Sequence, residues 1–156
     1  MLTKNMNVII ILLNKITKGI KLEQFIKVGK LNQELLNKIK IKLITEEVIL
    51  THERREHVED KRVKLYNEVI NILPNAIYNP DYIYKDWNNR ENTLVLISAI
   101  NREEKLNIVI KIAIENDEKH TKNSIITMIK IGEKTLKKIQ NNKSGNLLYK
   151  KLDKNE

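Results

Sequence analysis

The stretch Leu50–Leu73, LTHERREHVEDKRVKLYNEVINIL, decides the expected fold because it has the pattern of one amphipathic helix. Thr51 is placed as an N-cap, and Glu53 lies in the first turn, where a negative charge favours the helix dipole. We expect the helix to end near Pro74, because proline disfavours helical geometry in the residue before it. The apolar residues recur at three- and four-residue spacing and form one face to be buried: Val58, Leu65, Tyr66, Val69, Ile70, Ile72 and Leu73.

A second stripe of this helix holds one histidine and three cations beside the apolar face. Histidine is the side chain best suited to moving protons near neutral pH, and cations stabilise negative charge on phosphorus. The stripe is therefore a candidate site for phosphodiester chemistry. The alternative is a partly exposed histidine among ordinary basic residues. The four residues are Arg54, His57, Lys61 and Lys64.

Length and charge limit the class of protein. A chain of 156 residues with 41% hydrophobic residues forms one domain, or one domain with an appendage, and buries a sizeable core. The 29 basic and 20 acidic residues give a formal charge of +9, which favours polyanionic partners such as RNA, DNA or an anionic surface. The alternative is that an AT-rich genome simply inflates the lysine content.

The sequence does not favour a metalloprotein, a disulfide-bonded protein or a membrane protein. The chain has no cysteine, and His52 and His57 are five residues apart, which suits neither spacing of helical ligand pairs, so we expect no metal and no cofactor. The apolar run 8–13 is too short to span a bilayer and lacks the small-residue cleavage site of a secretory signal. We expect a cytoplasmic protein without a membrane partner.

The remaining chain predicts strands with hairpin-sized links. Short strands are expected within 23–31 and 48–50, with Asn32 capping a short helix between them. Stronger strand patterns follow at 93–97, 106–115 and 124–131, and consecutive strands with short polar links favour an antiparallel meander. The expected fold class is α+β: a long helix, with shorter N-terminal elements, packed on an antiparallel sheet of about four strands. The expected organisation is a leader over residues 1–43 packed on a domain over residues 44–132, then a helix and a frayed tail over residues 133–156.

Polar residues on the predicted strands are further candidates. Lys111 is a cation in an otherwise apolar strand, and a solvent-facing position is the alternative. Thr127 is expected on the face of Ile125, Ile129 and Ile131, where a hydroxyl is unusual, although threonine is also a good strand former. Ser124 opens the same strand and equally suits a turn. Tyr82 belongs to a group of aromatics that can stack on bases or close the sheet edge.

Four motifs in order resemble the phage- and mobile-element-borne nucleases of the barnase–EndoU–colicin–RelE-like superfamily. They are Leu50-Thr51-His52-Glu53-Arg54-Arg55-Glu56-His57, Asn79-Pro80-Asp81-Tyr82-Ile83, Asn92-Thr93-Leu94 and Asn123-Ser124-Ile125-Ile126-Thr127. They span about residues 44–132, which the resemblance identifies as a nuclease-like domain.

The resemblance implies metal-independent cleavage of RNA, in which a ribose 2′-hydroxyl attacks its own phosphate. By motif, Arg54 and His57 match the helix pair, with His57 as general base or acid. Lys111 matches the alternating strand and would stabilise the phosphorane, while Ser124 and Thr127 would position the phosphate. The residues expected to bind substrate are Lys61, Lys64, Tyr82 and Lys130.

The resemblance leaves the second proton-transfer group unassigned, because Lys61 and Arg62 stand where members often have a second histidine. The leading hypothesis is a ribonuclease that is a toxin or mobile-element effector, with tRNA or another structured RNA among its candidate targets and a cognate inhibitor protein among its candidate partners. The rivals are a non-catalytic nucleic-acid-binding protein with a degenerate nuclease fold, and an interaction partner of another mobile-element protein.

Overall fold

The computed structural model describes residues 25–51, 68–115 and 117–152, whose strands form one seven-stranded sheet. The strands are β1 Phe25–Lys30, β2 Glu47–Thr51, β3 Tyr82–Lys85, β4 Thr93–Ala99, β5 Glu104–Lys111, β6 Asn123–Gly132 and β7 Leu147–Lys150. Their order across the sheet is β1-β2-β6-β5-β4-β3-β7. All neighbours are antiparallel except β2 and β6, which are parallel.

Three α-helices connect or follow these strands in the described ranges: α1 Gln33–Lys38, α2 Leu73–Tyr78 and α3 Glu133–Asn142. A 3₁₀ turn at Ser144–Asn146 leads into β7. Asn32 caps α1 as predicted, since its side-chain oxygen accepts a hydrogen bond from the Leu35 amide at 3.3 Å. No helix in the described ranges is long and apolar enough to cross a membrane.

The predicted fold class, a long helix on an antiparallel sheet of about four strands, is wrong. The sheet has seven strands and is mixed, and the helices of the described ranges have six to ten residues. The antiparallel meander is confirmed for β3 to β6. What the prediction missed is that the β1–β2 hairpin joins this meander through the parallel β2–β6 pair, and that β7 extends it at the other edge.

Residues 52–67 of the predicted long helix lie outside the described residues, so the N-cap at Thr51 stays a prediction. Thr51 is the last residue of β2, and an N-cap residue is itself extended. At the other end, Glu68 and Val69 are helical, and a turn over residues 70–72 separates them from α2, whose first turn contains Pro74. Proline is tolerated there because the first amides of a helix have no intrahelical acceptor.

Two further strand boundaries differ from the expectation. The predicted strand over residues 106–115 ends at Lys111, because the Ala113 amide then bonds the Asn123 side chain. The chain after residue 141 does not fray throughout: residues 147–150 form β7, and Tyr149 is the partner of Ile83 in β3. The predicted domain boundaries at residues 43 and 132 stay a prediction.

The sheet is buried on both faces. The face that packs against α1 and α2, here the α1/α2 face, carries the larger cluster, which includes Leu50, Leu96 and Ile108. The opposite α3 face carries a smaller cluster around Val109 and Leu136. Because both faces of the sheet are covered, β4 is almost continuously apolar, and β5 is buried from Leu106 to Ile110, including Asn107.

The α1/α2 face depends on a close approach between β1 and α2. A Cβ atom at Gly29 would lie 3.2 Å from the Cα of Pro74, which is tighter than an ordinary contact. Glycine at this position lets the helix backbone lie directly on the strand. The Ser98 hydroxyl holds α2 from the other side by donating to the Ala76 carbonyl at 2.7 Å.

The fully buried Asn123 side chain joins three segments of the chain. Its oxygen accepts from the Ala113 amide at 2.7 Å, just after β5. Its nitrogen donates to the carbonyls of Thr45 at 2.7 Å and Glu47 at 2.8 Å, at the start of β2. These three bonds set the position at which β2 meets β6, where Val48 faces Asn123.

We predict that Asn123→Ala lowers the free energy of unfolding by about 3 kcal/mol, because a buried amide and two buried carbonyls lose their partner. Urea unfolding measures the change. Asn141→Ala, at an exposed position of α3, is the matched control and is expected to be nearly neutral. Equal stability of the two variants would contradict the structural role of Asn123.

Candidate active site

Part of the predicted site cannot be placed. Four predicted site residues lie outside the described ranges: Arg54, His57, Lys61 and Lys64. The expected convergence of Arg54 and His57 with the strand residues therefore stays a prediction.

The strand residues of the predicted site lie on one face. Lys111 of β5 is directly opposite Ser124 of β6, and Val109 is opposite Thr127. Opposite residues on neighbouring strands share a face, and so do alternate residues along one strand. Lys111, Ser124 and Thr127 therefore form a cluster on the α3 face, with cross-strand diagonals of roughly 7–8 Å between Cα atoms. We call these three residues the Lys111 cluster.

A β-bulge decides which face Thr127 occupies. The β5–β6 register shifts between Val109 and Ile110, which leaves Ile126 as an extra residue of β6. Ile126 packs against the apolar residues of the α3 face, whereas Ile125 belongs to the α1/α2 face. The predicted shared face is therefore right for Ile129 and Ile131 and wrong for Ile125, because the bulge interrupts the alternation between Ile125 and Thr127.

The Lys111 cluster offers an anion one ammonium and two hydroxyl groups. Lys111 is exposed, and Ser124 and Thr127 are half-buried. Among the residues that the structure describes, none forms a hydrogen bond or an ion pair with these three side chains. Lysine, serine and threonine are the types of side chain that contact phosphate in nucleic-acid complexes. The arrangement can hold and polarise a phosphodiester group.

The helix α3 covers the opposite end of the same face. Glu133 pairs with Lys105 at 3.0 Å, and the Gln140 amide donates to the Tyr82 hydroxyl at 3.0 Å. Lys111 lies six residues beyond Lys105 along β5, about 20 Å away at the rise of an extended strand. These contacts fix α3 at the Lys105 end of β5. They also hold Tyr82, a predicted substrate contact, at the α3 end.

Lys130 is not brought together with the Lys111 cluster. It alternates with Ile129 and Ile131 of the α3 face and so points to the α1/α2 face. Its ammonium pairs with Glu68 at 2.8 Å and Glu104 at 3.1 Å. The hydrogen bonds to these two carboxylates raise the pKa of Lys130. The role of Lys130 in substrate binding stays a prediction.

Two groups near the Lys111 cluster were not predicted from the sequence. The Lys122 ammonium lies 5.2 Å from the centroid of the Phe25 ring, within cation–π range. Asn107, buried two positions before Val109, has a side-chain oxygen without a hydrogen-bond partner among the described residues. No spacing pattern connects residues 25 and 122, and the alternation of β5 gives no sign that Asn107 is buried.

Histidine is scarce in the described ranges. His120 is the single histidine there; it is exposed and lies 3.2 Å from the Glu118 carboxylate. Within the same ranges, no group of three or more histidine or acidic side chains is arranged to hold a metal ion. His120 lies in the loop between β5 and β6, and no contact among the described residues joins it to the Lys111 cluster, while His52 and His57 lie outside the described ranges.

A buried ion pair fixes the loop between β3 and β4. The Asp86 side chain is 1% exposed and that of Arg90 is 40% exposed. The Arg90 guanidinium donates to both Asp86 oxygens, at 2.8 and 3.2 Å, and the Arg90 backbone amide adds a third bond at 2.9 Å. These hydrogen bonds, above all those of the side chain, hold the pKa of Asp86 below its ordinary value.

Comparison with protein families identifies the class of this protein as a nuclease. The family model of the phage-Barnase-EndoU-ColicinE5/D-RelE like nuclease 2 matches residues 21–150. The chain belongs to this family, which confirms the resemblance of its motifs and implies a nuclease domain with nucleic acid as its substrate class. No curated protein and no solved structure matches the chain significantly.

We predict that Asp86→Asn lowers the free energy of unfolding by about 2 kcal/mol at pH 7, because the hydrogen bonds to a charged partner are lost. The depressed pKa means that this stabilisation is present above the ordinary value of about 3.9 and is lost as the pH falls through the lower value of the folded state. Thermal unfolding at a series of pH values measures the difference from wild type.

The matched control is Glu103→Gln, which removes an exposed carboxylate from the β4–β5 turn. The difference between wild type and Asp86→Asn should shrink below pH 4, while the control stays close to wild type throughout. A difference for Asp86→Asn that is independent of pH would contradict the role of its ionised form.

Proposed function

We propose that this protein is an endoribonuclease that cleaves RNA without a metal ion, through attack of a ribose 2′-hydroxyl on the adjacent phosphodiester. The family match over residues 21–150 is the observation on which the proposal chiefly rests. The shared face of Lys111, Ser124 and Thr127 supports it, because this face presents phosphate-binding groups beside one another.

In the proposed mechanism, each group has one task. The Lys111 ammonium stabilises the charge that develops on the phosphorane oxygens. The hydroxyls of Ser124 and Thr127 donate hydrogen bonds that position the phosphate. Arg54 adds a second positive charge, and His57 takes the proton of the 2′-hydroxyl or returns one to the leaving oxygen.

The position of β2 supports a contribution from Arg54 and His57. Ile49 is the partner of Ser124 across the parallel pair, so β2 lies directly beside the strand of the Lys111 cluster. His57 follows Thr51, the last residue of β2, by six residues, which span at most about 20 Å when fully extended. The chain re-enters the described ranges at Glu68, beside Lys130 on the α1/α2 face.

The proposed biological setting is conflict between a phage or mobile element and its host. The formal charge of +9 suits RNA as the substrate, with tRNA or another structured RNA as a candidate. An enzyme of this kind would act in the cytoplasm as a toxin or effector, and a cognate inhibitor protein would be its natural partner.

A second candidate function is nucleic-acid binding without turnover. It is favoured by Lys61 and Arg62, which stand where a second proton-transferring histidine is expected. A third candidate, an interaction partner of another mobile-element protein, would need neither cleavage nor binding of RNA.

We predict that the purified protein cleaves total RNA in the presence of EDTA and leaves cyclic phosphate ends. His57→Ala should slow cleavage by about 10²–10⁴-fold, the usual contribution of a general acid or base. The matched control His120→Ala changes an exposed histidine and should cleave like wild type. Intact RNA with both wild type and His57→Ala would contradict the proposal. Salt-sensitive binding in that sample would then favour the second candidate.

We predict that Lys111→Gln slows cleavage by about 10²-fold, because one group that stabilises developing charge is removed. Lys137→Gln, at an exposed position of α3, is the matched control. Residues that act in one site have non-additive effects, so the double variant with His57→Ala should lose little more than the slower single variant. Fully additive losses would show that His57 and Lys111 do not act on the same phosphate.

A further inference from the structure

A basic cleft lies at the end of the sheet where β4 begins and β5 ends. Its volume is about 1070 Å³, and it is lined by the chain after α1, the β3–β4 loop and the ends of both strands. Small-molecule pockets have volumes of about 300–1,000 Å³, so this cleft has room for more than a single phosphate group.

The lining of the basic cleft carries more positive than negative charge, although it also includes six apolar side chains. Its cations are Lys40, Lys42, Lys85 and Arg90, against the carboxylates of Glu91 and Glu115. Among the described residues, no carboxylate pairs with any of the three lysines. Arg90 is held in place by the buried Asp86 while its side chain stays 40% exposed. The cleft therefore combines three unpaired ammonium groups with one orientated guanidinium group.

The backbone of the lining is unusual. In the described ranges, the non-glycine residues with positive φ are Lys40, Asn89 and Asn92, at 62°, 58° and 48°, and all three line the basic cleft. Left-handed conformations cost free energy for residues with a side chain and tend to collect at binding sites. Asn92 is also tied to β5, since its carbonyl accepts from the Ile112 amide at 2.8 Å.

The basic cleft and the Lys111 cluster lie at the same end of the sheet but on opposite faces, because Leu94, Ile112 and Ile114 of the lining belong to the α1/α2 face. Thr93 lines the cleft and is the direct partner of Lys111 across the β4–β5 pair, which places their Cα atoms about 5 Å apart. Ser124 continues the same row on β6. A strand that crosses this end of the sheet can therefore contact the cluster and enter the cleft.

We propose that the basic cleft binds the phosphodiester backbone of the RNA strand next to the phosphate that is cleaved. The inference rests on the proposed function for the nature of the ligand. Ammonium groups, a guanidinium fork and asparagine amides are the donors that proteins use for phosphate oxygens. Contacts of this kind position a strand without reading its sequence, so the cleft contributes affinity and register rather than base specificity.

The experiment measures binding of a fluorescein-labelled 2′-O-methyl oligoribonucleotide by fluorescence anisotropy across a salt series. The methyl group blocks attack by the 2′-oxygen, so binding is measured whether or not the protein cleaves RNA. The test variant is Lys42→Gln with Lys85→Gln, both at exposed positions of the basic cleft. The matched control, Lys137→Gln with Lys138→Gln, removes the same charge from exposed positions of α3.

The test variant is expected to bind about tenfold more weakly and to show a salt slope shallower by about 1.4, the value for two lost phosphate contacts to a single strand. The control should keep the wild-type slope. Equal Kd and equal salt slope for the two variants would overturn the inference. Displacement of the oligoribonucleotide by polyglutamate, at a similar concentration of negative charges, would also overturn it.

The outcome separates this inference from the proposed function. If the wild type does not cleave RNA but the expected difference in binding is observed, the proposed cleavage is contradicted and the proposed RNA binding by the basic cleft is supported. If wild type does cleave, the test variant should raise KM about tenfold and leave kcat near wild type, because uniform binding alone is removed. An equal loss in kcat would overturn the positioning role.

Discussion

The hydrogen bonds of the Asn123 side-chain amide decide which strands this sheet includes. The amide bonds the chain just after β5 and the start of β2 at the same time, with three short hydrogen bonds in a fully buried position. The meander of β3 to β6 could form from hairpins alone, but β2 and β6 are parallel and far apart in sequence. Their short parallel pairing needs an anchor, since parallel strands have no tight turn to fix the register. Asn123 supplies that anchor, and the hairpin of β1 and β2 enters the sheet with it.

The hydrogen bonds of Asn123 also position the residues of the candidate site. When the Ala113 amide turns to Asn123, the first residue of β6, β5 ends at Lys111 directly opposite Ser124. The ammonium and the hydroxyl therefore meet at the end of two paired strands rather than in the middle of a covered face. The bulge after Val109 then turns Thr127 to the same face. A structural asparagine and a register shift thus bring together three polar residues that alternation alone would not.

Periodicity predicted the parts of the fold that depend on local pattern. The alternation of β5, the apolar run of β4 and the cap at Asn32 are readable because each is decided by burial or by a bond within a few residues. The sequence could not predict β7, since Leu147 and Leu148 are both exposed and the strand exists only through pairing with β3. The short helix α2 was not predicted, because the stereochemistry by which a proline ends one helix also suits the first turn of the next. For the candidate site, the sequence suggested Lys111, Ser124 and Thr127, which lie on one face of the sheet, but not the contact between Lys122 and Phe25.

The two ends of the sheet differ in how their charged side chains are paired. At one end, α3 is fixed by Lys105 and Tyr82, and Lys130 is neutralised by two carboxylates. At the other end, the lysines of the Lys111 cluster and the basic cleft have no carboxylate partner among the described residues. Repulsion between such groups opposes folding, and a bound anion would compensate it. Asp86 fixes the orientation of Arg90 without covering it. Lysines without an ion pair among the described residues also occur on α3, at Lys134, Lys137 and Lys138, so what distinguishes the other end of the sheet is the grouping of three such lysines with Arg90 around one cleft.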